Sequence, residues 1–193
     1  MPALLDPFIP RPDARERQET TVRAPPGVVL ETARNFDLQS LPLVRAIFRL
    51  REIAMRARPP AGRRPQGMIA ELLGLGWEPL AEEPGRFFVA GAACQPWRAD
   101  VVFEPIPAQR FADYAEPGRV KIAWTLEAEP LGPALTRFAT ETRVVATDDQ
   151  AREKFRRYWR AIQIGVRAIR WLLLRGVRRR AERRWRATGG TPT

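Results

Sequence analysis

The groups able to move a proton are few. Asp113, Tyr114 and Glu116 fall within one short stretch. A phenol flanked by two carboxylates can serve as acid and base when burial shifts a pKa towards the working pH. A solvated loop has the same composition, and nothing in the spacing requires catalysis. Glu141 and Arg143 stand two residues apart, so they share a face if that segment is a strand. With Lys121 they make either a polar patch on a cavity wall or an exposed cross-strand charge ladder. The ladder is the commoner arrangement. A symmetric 128–136 loop would set Lys121 opposite Arg143, with Glu141 on the diagonal.

The single cysteine, Cys94, lies beside Gln95 and Pro96. It reads as a small buried residue, because a reactive thiolate needs a cationic neighbour. The chain has no histidine. That excludes zinc sites built from His and Cys, and Ser-His or Cys-His nucleophile pairs. The usual proton shuttle near neutral pH is missing too. No metal and no cofactor are expected, no catalytic residue is assigned, and the expectation of an enzyme is lowered.

Two larger sets remain. Phe87, Trp97, Phe103, Phe111, Trp124, Phe138, Trp159 and Ile162 are candidates to line a pocket for an apolar ligand, with Tyr114, Glu141 and Arg143 as polar groups at its wall. Taken singly, each of these apolar residues reads first as core filling. The second set is basic: Arg175, Arg178, Arg179, Arg180, Arg183, Arg184 and Trp185. Such a run suits phosphates or an anionic lipid surface, or is simply a solvated helix end. The formal charge of +11 points the same way, towards anionic partners. Of the 33 basic residues only Lys121 and Lys154 are lysines.

These residues need elements to hold them. Residues 1–18, with Pro2, Pro7, Pro10 and Pro12 and the run Arg15-Glu16-Arg17, read as an irregular arm. Glu19–Ala24 is the first strand. Val28–Asn35 is a short helix, Pro42–Arg58 a second with the stripe Val44, Ile47, Phe48 and Met55, and Gln66–Leu73 a third. Trp77–Glu82 and Arg86–Ala92 form a hairpin about Glu83-Pro84-Gly85. Gln95–Pro117 is less regular. Arg119–Glu129 alternates apolar and polar residues, and Ala134–Ala146 returns after a turn at residues 130–133.

From about Asp149 to Arg184 the pattern is helical, capped by Thr147 or Asp148. Phe155, Trp159, Ile162, Val166, Ile169, Leu173 and Val177 form its apolar stripe, opposite Arg152, Arg156, Arg160, Arg167 and Arg178. The helix outruns a small sheet, so its arginine-rich end is expected to project. Residues 188–193 are a loose tail. Length and composition fit one domain over residues 19–187.

The segment Glu141-Thr142-Arg143-Val144, then Ala146-Thr147-Asp148, Ala151-Arg152, Phe155, Tyr158-Trp159, Ile162 and Ile169-Arg170, resembles the ending of an uncharacterised bacterial branch of the START-like, or SRPBCC, superfamily. Pro117-Gly118-Arg119-Val120-Lys121-Ile122-Ala123 is similar to the same branch. The resemblance covers roughly residues 19–185. Where that branch often carries a proline and a serine in its last helix, this chain has Ile164 and Val166. The resemblance implies an α+β helix-grip fold, a curved antiparallel sheet around a long C-terminal helix, with a cavity between them for an apolar ligand. It also brings a polyketide cyclase-like reaction into view.

Three functions follow as expectations. The first is binding of a lipid- or polyketide-like small molecule. The second is a cyclase- or dehydrase-type reaction in the same cavity. The third is docking on an anionic membrane or on nucleic acid, without sequence reading, through the basic helix. Neither a secretory signal nor a run of about 20 apolar residues is present, so a cytoplasmic location is expected, with peripheral membrane contact as the variant.

Overall fold

A computed structural model describes residues 4–37 and 67–189. Five strands form one antiparallel sheet in the order β1-β5-β4-β3-β2. They are β1 (Ala14–Val22), β2 (Glu78–Glu83), β3 (Phe87–Cys94), β4 (Val120–Gly132) and β5 (Leu135–Ala146). Among the described residues three short helices, α1 (Pro26–Arg34), α2 (Met68–Gly74) and α3 (Ala108–Phe111), precede a long terminal helix α4 (Asp149–Ala187). The helix lies against β1, β5 and α1. This is an α+β architecture of the helix-grip kind. The helix expected at Pro42–Arg58 lies outside the described residues.

The sheet buries both faces. Helix-side residues are Phe88, Ala90, Trp124, Leu126 and Phe138, packed with α1, α2 and the C-terminal half of α4. On the other side Val89, Ala93 and Ala123 pack under Leu5 and Ile9 of the N-terminal arm and under Ile106 and Phe111. That explains why β3 reads Phe-Phe-Val-Ala-Gly-Ala-Ala-Cys without alternation: a strand covered on both faces has no polar side. Gly91 is dictated by the outer layer, since a Cβ there would sit 2.5 Å from Cε2 of Phe111 and 2.7 Å from Cδ1 of Leu80.

The β4–β5 turn is tighter than the sequence suggests. Gly132 pairs with Leu135 across Pro133-Ala134, after a register shift between Pro130 and Gly132. Pro130 is tolerated because β3 ends its pairing at Glu127, so no strand needs an amide on that side. The shift sets Ala123, not Lys121, opposite Arg143, and Thr125 opposite Glu141. Glu141 and Arg143 are buried, so the expected exposed ladder is not what forms.

Two further expectations are corrected. The first strand starts at Ala14, so Arg15, Glu16 and Arg17 are strand residues pairing with Arg143, Thr142 and Glu141, not part of an irregular arm. The end of α4 does not project. Ala181 is fully buried, Trp185 packs on the core formed with α1 and α2, Arg184 pairs with Glu31 at 3.0 Å, and Glu182 accepts from the amide of Arg23 at 3.1 Å. Phe36 lies against Gly176, where any Cβ would strike its ring. The helix starts as its cap residue predicts: Asp148 accepts from the amide of Ala151 at 2.7 Å and also from Gly118. These two bonds hold its carboxyl below the usual range.

Candidate functional site

Along α4 the inner face is unevenly covered. Phe155, Leu173 and Val177 are buried. Trp159, Ile162 and Val166 lie within roughly 40° of Phe155 and Leu173 at about 100° per residue, yet they are only half-buried. The apolar stripe predicts that Trp159 and Ile162 are buried against the sheet; both are only half-buried. The reason lies in the sheet below, where two separate apolar clusters grip the ends of the helix. One joins Phe88, Leu126 and Phe138 to Leu173 and Val177. The other joins Cys94, Val120 and Val144 to Ala151 and Phe155, with Trp97, Phe103 and Trp159 packed beside it.

Where the two clusters meet, the same sheet face carries Trp124, packed against the first, Ile122, packed against the second, and Thr140 and Thr142, and β3 contributes the small side chains Ala90 and Ala92. Ile122, Trp124 and Thr142 are half-buried. Near the start of α4, outside this stretch, an open hollow of about 330 Å3 is lined by Asp13, Glu153, Phe155, Arg156, Trp159 and Arg160. The middle of the helix and sheet therefore forms a strip with apolar walls that is less tightly closed than its two ends.

One charge enters this strip. Arg170 is 6% exposed and reaches from α4 to the sheet. Its Nη1 donates to Oγ1 of Thr140 at 3.2 Å and its Nη2 to Oγ1 of Thr142 at 2.7 Å. Among the described residues its buried Nε has no hydrogen-bond partner and no carboxylate pairs with it. Burial pushes its pKa down to about 10, only partly countered by Glu16 and Glu141 at longer range. The chain thus keeps a guanidinium in an apolar interface with two neutral partners, although a buried cation is costly unless it is paired.

The polar candidates from the sequence lie across the sheet. Glu141, 1% exposed, accepts from Nε of Arg15 at 2.9 Å, Nη1 of Arg17 at 3.2 Å and Nε of Arg143 at 2.6 Å. Burial alone would raise its pKa; the bonds and charges of Arg15 and Arg143 outweigh that and hold it below the ordinary carboxylate value. Arg143 also donates to Asp6 at 2.7 Å and to the carbonyl of Ile9 at 2.8 Å, which ties down the N-terminal arm. Lys121 donates to the carbonyls of Phe111 and Ala112 at 3.0 and 2.7 Å, closing the end of α3. Burial lowers its pKa. Tyr114 donates to Glu104 at 3.3 Å, and burial together with Glu104 raises its pKa.

Of the apolar candidates, Trp97, Phe103, Trp124, Phe138, Trp159 and Ile162 are on the helix side of the sheet, whereas Phe87 and Phe111 pack on the outer side. Cys94 is a buried member of the cluster near the start of α4. The basic residues Arg175, Arg178, Arg179, Arg180, Arg183 and Arg184 are exposed, and Trp185 is half-buried. Beside them a groove of about 660 Å3 separates β1 from α4, with the half-exposed Trp171 under the guanidinium of Arg175.

Arg170 was legible only as an interruption of the apolar run Ile169–Leu174. The clue available was its position inside the stripe, where a charge has to be satisfied by something. Arg15 and Arg17 were missed because their strand has no apolar residue between Ala14 and Val22.

No family model matches the chain, and no curated protein matches its sequence. Among solved structures, an aromatase/cyclase from a Streptomyces species is similar at 16% identity, over 92% of this chain and 99% of that one, with a TM-score of 0.33. A protein from Deinococcus radiodurans is similar at 16% identity, over 79% of this chain and 98% of that one, with a TM-score of 0.31. Likenesses of this size carry no argument about what this chain binds.

Proposed function

We propose that the chain binds an apolar small molecule, lipid- or polyketide-like in character, between the middle of α4 and the helix face of the sheet. The observation that carries this reading is the half-buried strip Trp159, Ile162 and Val166, set between two helix ends that are closed. Binding sites are concave and mostly apolar, with few polar groups, and this strip has that composition. A cyclase- or dehydrase-type reaction is the weaker alternative. Its sequence candidates Tyr114, Glu141 and Arg143 are on the outer face, engaged with Glu104, with Arg15 and with Asp6.

Titration with Nile red, a neutral apolar dye, tests the reading. The full chain should enhance and blue-shift its emission. Ile162→Glu, which sets a carboxylate in the strip, should abolish that response while leaving the melting transition in place. A wild-type chain that leaves the dye's spectrum unchanged would sink the proposal.

A second reading has its own observation. Arg179, Arg183 and Arg186 are exposed and form no ion pair among the described residues. An anionic lipid surface or nucleic-acid backbone would gain from them in a salt-dependent way.

A further inference from the structure

We infer that the molecule bound between α4 and the sheet carries a carboxylate, and that Arg170 with Thr140 and Thr142 receives it. The inference rests on the pocket proposed above and names the chemical class that the pocket selects.

The geometry supplies three reasons. A guanidinium has five N–H donors in a planar fork, and Arg170 uses its terminal nitrogens on the two threonine hydroxyls while its buried Nε–H stays unpartnered. The hydroxyls of Thr140 and Thr142 both accept from Arg170. Their own protons are therefore left to donate, so the cluster offers donors from three side chains on adjoining elements. The third reason is charge. Glu16, the acid of the helix face that acts on Arg170, is engaged by Arg167 at 3.1 Å. Glu141 is engaged by Arg15 and Arg143 on the other side of the sheet. Among the described residues Arg170 is thus left without an anion at contact distance.

One buried positive charge is neutralised by a monoanion. A phosphate dianion would leave a net negative charge in the same low-dielectric place. A planar carboxylate also matches the fork, which makes such pairs the stronger kind of hydrogen bond. Trp124, Ile122 and Ala92 extend along the same sheet face, so the acid's apolar body has a surface to lie on.

The test compares decanoate with 1-decanol, two probes that share a chain and differ in the acid. Each is used to displace Nile red from the full-length protein at pH 7.5. Salt is held at 0.3 M, where exposed arginines are largely screened and a buried one is not. Wild type should prefer decanoate at least tenfold. Arg170→Met should remove that preference and keep the affinity for decanol, and Arg170→Lys should keep part of it.

Equal affinity for the two probes in wild type would overturn the inference and leave the pocket standing. So would an acid preference that survives in Arg170→Met. Should that variant not fold, Thr140→Val with Thr142→Val takes its place: a reduced acid preference supports the inference and an unchanged one overturns it. If neither probe nor the dye binds the wild type, the pocket fails and the carboxylate with it.

Discussion

Replacing Glu141 by glutamine removes one charge from the centre of a buried network and leaves the shape nearly unchanged. The size of the effect is set by who is stranded. Arg15 and Arg17 have side chains 52% and 30% exposed, so water takes over much of their solvation and each lost contact costs little. Arg143 is different, with a side chain 4% exposed. It keeps Asp6 and the carbonyl of Ile9, with a neutral amide oxygen in place of the carboxylate that faced its Nε. Breaking a buried pair from one side costs about 3–5 kcal/mol. Because Asp6 still offsets part of the charge, the lower end applies, about 3 kcal/mol. For a chain of this length that lowers the melting temperature by roughly 6–12 °C.

Thermal and urea unfolding followed by circular dichroism would measure it. The double variant Glu141→Gln with Arg143→Met should recover a good part of the loss, since it removes the stranded charge too. The acid limb gives an independent check. The folded pKa of Glu141 lies below its ordinary 4.5, so its contribution is present above that value and is lost as pH falls through the folded pKa. The glutamine variant should lose stability less steeply there. A Glu141→Gln chain within about 1 kcal/mol of wild type, well short of the loss expected for a buried pair, would refute the reasoning. So would a double variant that is as unstable as the two single losses added together.

Gly91→Ala should destabilise by about 1–3 kcal/mol through overpacking, because Phe111 is fully buried and its ring cannot swing aside; an unchanged urea midpoint would contradict the packing. Trp159→Ala should cost only about 1–2 kcal/mol, below the roughly 3–5 of a fully buried aromatic, and a larger drop would mean the strip is closed. Truncation after Val177 should lower the melting temperature, since it removes Ala181, Trp185 and the Glu182 contact to β1's end; an unaltered melt would mean this end is not docked. Arg179→Ser, Arg183→Ser and Arg186→Ser together should leave the melt unchanged and weaken low-salt binding to anionic vesicles, and vesicle binding equal to wild type would dismiss the basic surface.

Much of the architecture was readable because its signals are local. The hairpin about Pro84-Gly85, the alternation of β4, the Asp148 cap and the apolar stripe of α4 each sit within one segment. What could not be read depends on distant partners. Arg15 and Arg17 look solvated until Glu141 is known to lie beside them, more than a hundred residues away. The outer face looked exposed because Leu5 and Ile9, in a proline-rich stretch, carry no periodicity that would announce them as a lid over β3 and β4. The site was half legible for the same reason. Trp124, Phe138, Trp159 and Ile162 could be named as apolar. That Trp124 and Phe138 face the helix while Phe87 and Phe111 pack on the outer side followed only from the structure, and the role of Arg170 only from its burial.

The strand order has a consequence for how the chain assembles. Residues β2 to β5 form a meander in which each strand pairs with the next, whereas Ala14 of β1 pairs with Val144. A ribosome adding about 5–20 residues per second needs on the order of ten seconds to deliver that partner. Through that interval β1 waits unpaired, and the edge of β5, when it emerges, is open to whichever strand arrives first. The charges along β1, Arg15, Glu16, Arg17 and Glu19, keep the waiting strand hydrated and ill-suited to pairing with its own kind. The arginines that later surround Glu141 therefore act first as guards against self-association on a nascent chain.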